Sequence, residues 1–421
     1  MKKSLVVNIA QLATPLGTQA VSGQEMKQLH IIENAAIYIE DGIIKKVGTQ
    51  ADILEQFSEK DMCDIELINA QNHAVIPGFV DSHTHFIFGG YREEEFINRL
   101  SGMEYMEIMK RGGGIQSTVY ATRAASAEQL YESGMSRLKS MLRQGITTVE
   151  GKSGYGLDKE CEIKQLSVMR QLDANQPVDI VTTYLGGHAS SDLFKDNDAY
   201  IKYMAKEVLP CIKERKLAQF CDVFCEDSVF SIEESRQILC DASKLGLKLK
   251  IHADEIISLG GAELAGELHA TSADHLLMVS EFGIQALIDN HVIATLLPCT
   301  AFCLNKPYAP ARKMIDAGCA VALASDLNPG SCFANSVALM MALAVIKMNM
   351  TIEEALTALT LNGAAAVGRE NEIGSIEEGK KADFLILDYP SYKFLVYHTG
   401  TNIVSKVIKE GMVVYEDTIC K

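Results

Sequence analysis

Two kinds of hydrophobic pattern alternate through the middle of this 421-residue chain. Short runs rich in β-branched residues are typical of buried strands, and between them lie stretches whose apolar residues recur at helical spacing, such as IEESRQILCDASKLG and SEFGIQALIDN. The eight strand candidates are AVIPGFVDSH (74–83), GITTVEGK (145–152), VDIVTTYLGG (178–187), FCDVFCED (220–227), LKLKIHAD (247–254), TSADHL (271–276), VIATLLP (292–298) and AVALASD (320–326). Eight strand–helix units predict an α/β fold, a (β/α)8 TIM barrel, over residues 72–370.

The two ends of the chain carry a different pattern. In AAIYIEDGIIKKVG, the dipeptide DG marks a hairpin turn between two alternating runs. ADFLILD and NIVSKVIKEGMVVYE read in the same way, with a second turn at Glu410 and Gly411. We therefore expect a small β-sandwich-like domain assembled from residues 1–71 and 371–421.

One segment is too long for a simple strand–helix unit. Residues 86–144, after the first predicted strand, exceed what one helix needs, and a long insertion in a compact domain is usually functional. We expect it to form a lid or an extended loop over the top of the barrel.

Composition narrows the classes of partner. The net charge of −16 and the pI near 5.1 argue against nucleic-acid and anionic-membrane partners, which need clustered Lys and Arg. The eleven cysteines are odd in number and irregularly spaced, so we expect reduced thiols and a cytoplasmic protein. The N-terminal run MKKSLVVNIAQLATPLG is interrupted by Asn8 and Gln11 and is not expected to be a signal peptide.

Histidines collect at the ends of the predicted strands, where the active sites of such barrels lie. Strand one ends in His83 and His85, whose side chains point the same way because alternate residues of a strand share a face. Strands three, five, six and eight end at His188, His252, His275 and Asp326. His83, His85, His252 and Asp326 form a three-nitrogen, one-carboxylate set that suits one divalent ion, Zn²⁺ or Fe²⁺, with room for a water.

A metal in this set predicts hydrolytic chemistry. Such an ion lowers the pKa of its water toward ~7 and so provides a hydroxide nucleophile. Glu255 follows His252 by three residues and is either the group that moves the proton or an exposed loop carboxylate. His188 and His275 either complete the metal site, polarise a substrate carbonyl, or are satisfied within the rim. The end of strand four lacks the lysine that bridges two ions in binuclear relatives of this layout, which favours a mononuclear site.

These segments together resemble a known family. The HxH, the later histidines and the strand-eight Asp are similar to the signature of the amidohydrolase superfamily. PGFVDSHTHFIFGGYRE, RGGGIQSTVYATRAAS, GKSGYGLDKE, KIHADEIISLGGAELAGEL, SADHL, ASDLNPGS and HTGTNIVSKVIKEGMVV resemble the imidazolonepropionase family over essentially the whole chain. The resemblance implies hydrolysis of 4-imidazolone-5-propionate to N-formimidoyl-L-glutamate, in histidine degradation, and is compatible with a homodimer.

The resemblance also implies roles for individual residues. It places the metal ligands at His83, His85, His252 and Asp326 and the proton transfer at Glu255. His275 is the second predicted catalytic residue. The implied contacts to the small anionic substrate are Arg92, Tyr155, His188, Asn328, Gly330 and Ser331. Arg92 also makes independent sense, because a propionate entering a protein of charge −16 needs a fixed cation.

Some features leave alternatives open. Without the resemblance, Arg92 is interpreted as a solvated surface residue, because it opens the charged run YREEE. The turn around Asn328 and Gly330 has a purely structural role as its alternative. Cys299 stands where the family pattern has a glycine, and the pattern has an aromatic residue near Cys303, so this departure bears on the fine specificity of the loop. A deaminase of another nitrogen heterocycle, or a barrel that serves only as a scaffold, are the competing functions.

Overall fold

The computed structural model describes residues 2–103, 107 and 113–417. Within them it confirms the predicted fold class, an eight-stranded parallel sheet with helices around it and a separate mixed sheet built from both ends of the chain. The described strands are β1 (Lys3–Thr14), β2 (His30–Glu40), β3 (Ile43–Thr49), β4 (Glu66–Pro77), β5 (Phe79–Asp81), β6 (Ile146–Lys152), β7 (Asp179–Gly187), β8 (Phe220–Cys225), β9 (Lys248–Ala253), β10 (Ser272–His275), β11 (Ile293–Leu296), β12 (Val321–Leu323), β13 (Phe384–Leu387), β14 (Val404–Lys409) and β15 (Met412–Glu416).

The barrel is made of β5 to β12, each hydrogen-bonded in parallel to the strand that follows it in the chain. Beyond the last residues of β5 and β12, Thr84 forms a parallel bridge with Leu327. The amide of His85 donates to the carbonyl of Leu327 at 2.9 Å, and that of Asp326 donates to the carbonyl of His83 at 3.0 Å. The ring is therefore closed at the level of the predicted metal ligands.

Helices surround this sheet in the order that the apolar spacing predicts. Both helical stretches named above are confirmed: Ile232–Lys244 begins with a capping box between Ser231 and Glu234, and Ser280 caps Glu281–Asp289. The described α-helices are Gln50–Leu54, Glu59–Met62, Glu93–Leu100, Ile115–Ala124, Ala127–Arg143, Lys159–Asp173, Asn197–Tyr203, Leu209–Arg215, Ile232–Lys244, Gly261–Glu267, Glu281–Asp289, Pro298–Cys303, Ala311–Ala317, Val337–Ile346, Ile352–Leu359, Leu361–Ala366 and Phe394–Tyr397, with a 3-10 turn at Gly23–Lys27 and a π-helical turn at Met204–Val208. Among the described residues, no helix is both long and apolar enough to cross a membrane.

The smaller sheet has seven strands in the order β15-β14-β13-β4-β1-β2-β3. Both predicted hairpin turns are present, and Asp41, Gly42, Glu410 and Gly411 all have positive φ, as such two-residue turns require. The sheet brings its two turns to either side of Ala382, whose amide donates to the carbonyl of Gly42 at 2.8 Å and whose carbonyl accepts from the amide of Gly411 at 3.0 Å. Its inner face thereby encloses a core of its own.

The first predicted barrel strand is divided between the two sheets. Residues 74–77 complete β4, which pairs with β1 and β13, and only Phe79–Asp81 pair with the barrel strand β6. Gly78 lies at the division with no room for a side chain, because a Cβ there would lie 2.4 Å from Thr147 Oγ1. The division of the chain at residues 71/72 and 370/371 stays a prediction, and β4 runs across the first of these boundaries.

The predicted insertion, residues 86–144, contains the helices Glu93–Leu100, Ile115–Ala124 and Ala127–Arg143. Arg92, Glu95, Arg99 and Ile115 line the main cavity, so part of the insertion lies over the site as expected. Residues 104–106 and 108–112 of the insertion lie outside the described residues.

Candidate functional site

The carboxyl ends of the barrel strands converge on one group of imidazoles and carboxylates. His83 and His85 follow β5, His252 lies in β9 and His275 ends β10, while Asp326 follows β12. All five side chains are buried. Asp326 and His275 have positive φ, 53° and 77°, which is uncommon for residues other than glycine and typical of functional sites.

The predicted ligand atoms lie close together. Nε2 of His83 and Nε2 of His85 are each 3.6 Å from Oδ1 of Asp326, and the ligand atoms of these three residues lie within 4.8 Å of one another. His252 shares one such group with His83 and His275, and another with His85 and His188. The structure thus groups His83 and His85 with Asp326 and places His252 beside each of the two histidines, and the role of the four residues as ligands remains a prediction.

The donor set fits a divalent cation. The Nδ1 atoms of His83 and His252 face carboxylates, with Oδ2 of Asp274 at 2.6 Å and Oδ2 of Asp222 at 2.9 Å. Since a carboxylate only accepts, a ring that carries its proton on Nδ1 turns an unprotonated Nε2 away from the carboxylate. Within the part of the chain that the structure describes, these buried Nε2 atoms have no hydrogen-bond partner. Buried polar atoms are rarely left unpaired, so these inward Nε2 atoms fit a bound cation.

Asp326 is held by its neighbours in the fold. Its Oδ2 accepts a hydrogen bond from the Thr300 hydroxyl at 2.7 Å, which leaves Oδ1 facing the histidines. Burial raises the pKa of Asp326 to about 6, although the hydrogen bond from Thr300 opposes the shift. Thr300 belongs to the helix Pro298–Cys303, so the segment after β11 helps to orient this carboxylate.

Glu255 lies beside this cluster rather than in solvent. Its Oε2 is 3.6 Å from Nδ1 of His275, and its side chain is 17% exposed. Glu226 stabilises the backbone of this loop, since its Oε2 accepts from the amide of Ile256 at 2.7 Å. Burial raises the pKa of Glu255 to about 8, and the Asp326 carboxylate adds to the shift. A carboxyl group that titrates near neutral pH can both accept and donate a proton.

Arg92 lines the cavity, and it is paired. Its Nε and Nη2 donate to Oε2 and Oε1 of Glu95 at 2.9 and 2.6 Å, so the guanidinium and the carboxylate form a bidentate pair. On its other side it packs against Gly330, where a Cβ would lie 2.2 Å from Nη1. The carbonyl of Gly330 accepts from Nη2 of Arg99 at 3.2 Å. Two guanidinium groups therefore flank the turn after β12.

Tyr155 and His188 form the neighbouring wall. The His188 ring stacks on that of His85 with centroids 4.8 Å apart, and the Tyr155 ring is 5.2 Å from His188. Nδ1 of His188 lies 3.1 Å from the carbonyl of Gly154, and burial lowers the pKa of His188 to about 3. A neutral His188 that donates through Nδ1 presents an accepting Nε2 to the cavity.

The turn after β12 is organised by Asn328. Oδ1 of its side chain accepts from the amides of Gly330 and Ser331 at 2.9 and 2.7 Å, and its Nδ2 donates to the carbonyl of Asp326 at 2.8 Å. Asn328 is thus engaged with its own turn, as the structural reading of this segment expects. The Ser331 hydroxyl also faces Asn328, at 3.0 Å from Oδ1.

A cavity of about 710 Å³ unites these groups. Its walls include every predicted site residue except His83, which lies beneath it. Thr300, Ala301 and Leu304, from the segment around Cys299 and Cys303, also line it. Cys299 itself is buried, and burial raises its pKa, so in this region the side chains that line the cavity are those of its neighbours.

Several residues of the site are absent from the sequence predictions. Glu95 and Arg99 give no distinct signal in the sequence, because a run of charged residues is common on a surface helix. Lys152, Lys250, Glu150, Asp222 and Asp274 are all buried inside the barrel under the histidines. A signal for this second group was available, since charged residues at alternate positions of buried strands, as in VEGK and KIH, need partners.

Comparisons with known proteins agree with this architecture. The model of the amidohydrolase family matches residues 74–414. An imidazolonepropionase of Clostridium tetani is 57% identical over 99% of each chain, and one of Parabacteroides distasonis is 56% identical over 97% of this chain and 98% of the other.

Solved structures of similar fold share much less sequence. Guanine deaminase of E. coli superposes with a TM-score of 0.75 at 15% identity and covers 99% of this chain and 100% of its own. An adenosine deaminase from Xanthomonas campestris with bound zinc gives 0.69 at 17% identity, with coverage of 98% and 92%. These two structures support the fold alone.

Proposed function

The chain belongs to the imidazolonepropionase family within the amidohydrolase superfamily, and we propose that it hydrolyses 4-imidazolone-5-propionate to N-formimidoyl-L-glutamate in histidine degradation. In this reaction water adds to the ring carbonyl carbon and the bond from that carbon to the ring nitrogen breaks. The carbonyl carbon becomes a carboxylate, and the departing nitrogen gains a proton. The site must therefore hold an anionic tail, activate a water and move a proton.

One observation carries the proposal: a histidine–aspartate cluster and the guanidinium of Arg92 line or underlie the same cavity. A neutral nucleobase does not require a fixed cation, whereas a propionate does. In a deaminase of a neutral nucleobase, the Arg92 side chain in the cavity wall would have no anionic group of the substrate to bind.

We propose one divalent ion, Zn²⁺ or Fe²⁺, held by His83, His85, His252 and Asp326. Three imidazoles and one carboxylate suit both metals. When bound, such an ion supplies Lewis acidity and lowers the pKa of water in its coordination sphere. Asp326 is kept in place for this role by Thr300.

Glu255 is proposed to move the proton. It receives the proton of the attacking water and delivers it to the ring nitrogen as the carbon–nitrogen bond breaks. Its position beside His275 and the rise of its pKa to about 8 both support this role. His275 turns its Nδ1 toward Glu255, so it is suited to orient the carboxyl group or to polarise the substrate carbonyl.

Arg92 is proposed to bind the propionate, with Arg99 adding positive charge to the same wall. Glu95 already compensates the charge of Arg92, so a second cation strengthens the attraction for an anion. Tyr155 and His188 are proposed to contact the ring, and Gly330 and Ser331 the propionate. Asn328 is proposed to act by shaping the turn that carries the last two residues.

The test is a turnover assay with 4-imidazolone-5-propionate beside guanine, adenine and cytosine. We expect formation of N-formimidoyl-L-glutamate, identified by mass spectrometry, and no release of ammonia from the three nucleobases. Ammonia release from a nucleobase without ring opening of the imidazolone would replace the proposal by deamination. No reaction with any of the four compounds would favour a scaffold.

We base a proposal for the cellular location and the partners of the enzyme on its net charge and its cysteines. The ten cysteines among the described residues are all free thiols, which agrees with a reducing, cytoplasmic location. The net charge of −16 supports the absence of nucleic-acid and membrane partners. We also propose a homodimer, which light scattering of the purified protein in solution tests directly.

A further inference from the structure

A layer of buried ionic side chains lies under the candidate metal ligands. TIM barrels usually fill this space with branched apolar residues, whereas here it holds two lysines and three acids with fully buried side chains. The members of this ionic layer are Glu150, Lys152, Asp222, Lys250 and Asp274. Each lies on a barrel strand and faces the interior.

Lys152 is the centre of the layer. Its Nζ lies 2.7 Å from Oδ2 of Asp222, 3.0 Å from Oε2 of Glu150 and 3.6 Å from Oδ2 of Asp274. The same oxygens of Asp222 and Asp274 face Nδ1 of His252 and Nδ1 of His83. One ammonium group therefore touches both carboxylates that orient a predicted ligand.

Lys250 acts on the other side of the layer. Its Nζ donates to Oε2 of Glu150 at 2.9 Å and to the carbonyl of Ser82 at 2.8 Å. Ser82 is the residue before His83, so Lys250 holds the backbone that carries this ligand. Glu150 joins the two lysines and is itself fixed by the hydroxyl of Thr183.

Burying five charged groups costs folding free energy, and a barrel of apolar residues avoids that cost. The presence of this ionic layer is explained if it serves the histidines above it. We propose that Lys152 and Lys250 are positioning residues, which hold Asp222, Asp274 and the Ser82 backbone so that His83 and His252 present Nε2 to a metal ion. This inference deepens the proposed function and rests on it.

The test measures Zn²⁺ affinity of the full chain by competition with a chromophoric chelator. Lys152→Met keeps the length of the side chain and removes the cation, so Asp222 and Asp274 lose their common partner. We expect Zn²⁺ to bind ~10- to 100-fold more weakly, the range typical for loss of a residue that orients a ligand. The absorption spectrum of the Co²⁺-substituted protein should also change, because it reports coordination geometry.

Lys409→Met is the matched control. Lys409 is also buried and pairs with Asp383 and Asp179, but it lies where the smaller sheet meets the amino-terminal end of β7. Its loss leaves the buried Asp383 without its lysine partner and lowers stability, so both variants should unfold at lower urea concentrations. Only Lys152→Met should change the Zn²⁺ affinity and the Co²⁺ spectrum.

If Lys152→Met does not fold, Asp222→Asn is the second test variant, because it keeps the shape of the side chain and leaves Lys152 paired with Glu150. We expect the same loss of Zn²⁺ affinity. Unchanged or tighter Zn²⁺ binding in the folded variants would overturn the proposal, since a layer that only balances charge gives that result. The affinities are measured without substrate, so an enzyme that binds zinc and fails to open the imidazolone ring refutes the proposed reaction alone.

Discussion

The guanidinium of Arg92 and the carboxylate of Glu95 lie one helical turn apart and form a two-point pair, with Nε–Oε2 and Nη2–Oε1 distances of 2.9 and 2.6 Å. Oε2 of Glu95 also accepts from the amide of Gly114 at 2.8 Å. The cation proposed to bind the propionate is thus fixed before the substrate arrives, and a preorganised group loses little entropy on binding.

Arg92→Ala should chiefly weaken substrate binding. A hydrogen bond to a charged group contributes about 1.5–3 kcal/mol, so we expect KM to rise by roughly 10- to 100-fold with a much smaller change in kcat. Steady-state kinetics at saturating metal measures both constants. Glu95→Gln keeps the cation and loosens the pair, so its KM should rise less, and an unchanged kcat/KM in Arg92→Ala would contradict the role.

Gly330→Ala should displace the same guanidinium. The added methyl group would lie 2.2 Å from Nη1 of Arg92, and the hydrogen bonds to Glu95 hold the guanidinium in this position. We expect KM to rise while the bound metal is unaffected. Gly48→Ala is the control, because a Cβ there meets ordinary contact distances in β3, and equal effects of both changes would count against the role of Gly330.

Glu255→Gln should leave an enzyme that binds its metal and turns over slowly. The amide cannot accept and return a proton, so kcat should fall by at least ~100-fold. Metal analysis and kinetics on one preparation separate the two properties. Glu267→Gln, an exposed carboxyl on the following helix, should retain normal turnover, and near-normal turnover in Glu255→Gln would remove the proposed role.

Purified protein should contain about one divalent ion per chain, since the ligand set corresponds to a single site. Dialysis against a strong chelator should abolish turnover and lower Tm, because a ligand that binds only the folded state stabilises it. Re-addition of Zn²⁺ or Fe²⁺ should restore both. Elemental analysis that finds none or two ions per chain contradicts the mononuclear assignment.

The positions of the predicted ligands were readable from the sequence because barrel strands are local features. Each strand is recognised by a run of buried residues, and His83, His252 and Asp326 stand at the ends of such runs. The two hairpin turns at Asp41–Gly42 and Glu410–Gly411 were readable for a similar reason, since a two-residue turn has its own residue preferences.

The partners of these residues were not readable in the same way. The division of the first predicted strand at Gly78 depends on which sheet its two halves join, and both halves have the same apolar character. The pairing of Arg92 with Glu95 was hidden in a run of three glutamates, any of which could have faced solvent.

The sequence by itself determined the eight-stranded barrel, the composite sheet and the residue types at the strand ends, because periodicity and turn chemistry act between neighbours in the chain. Only the tertiary structure decided that Asp274 faces His83, that Asp222 faces His252 and that Lys152 joins the two carboxylates. Those contacts span 30 to 191 positions along the chain. They exist because the closed barrel turns the interior faces of separate strands toward one another, and no local pattern specifies which of the buried charges will meet.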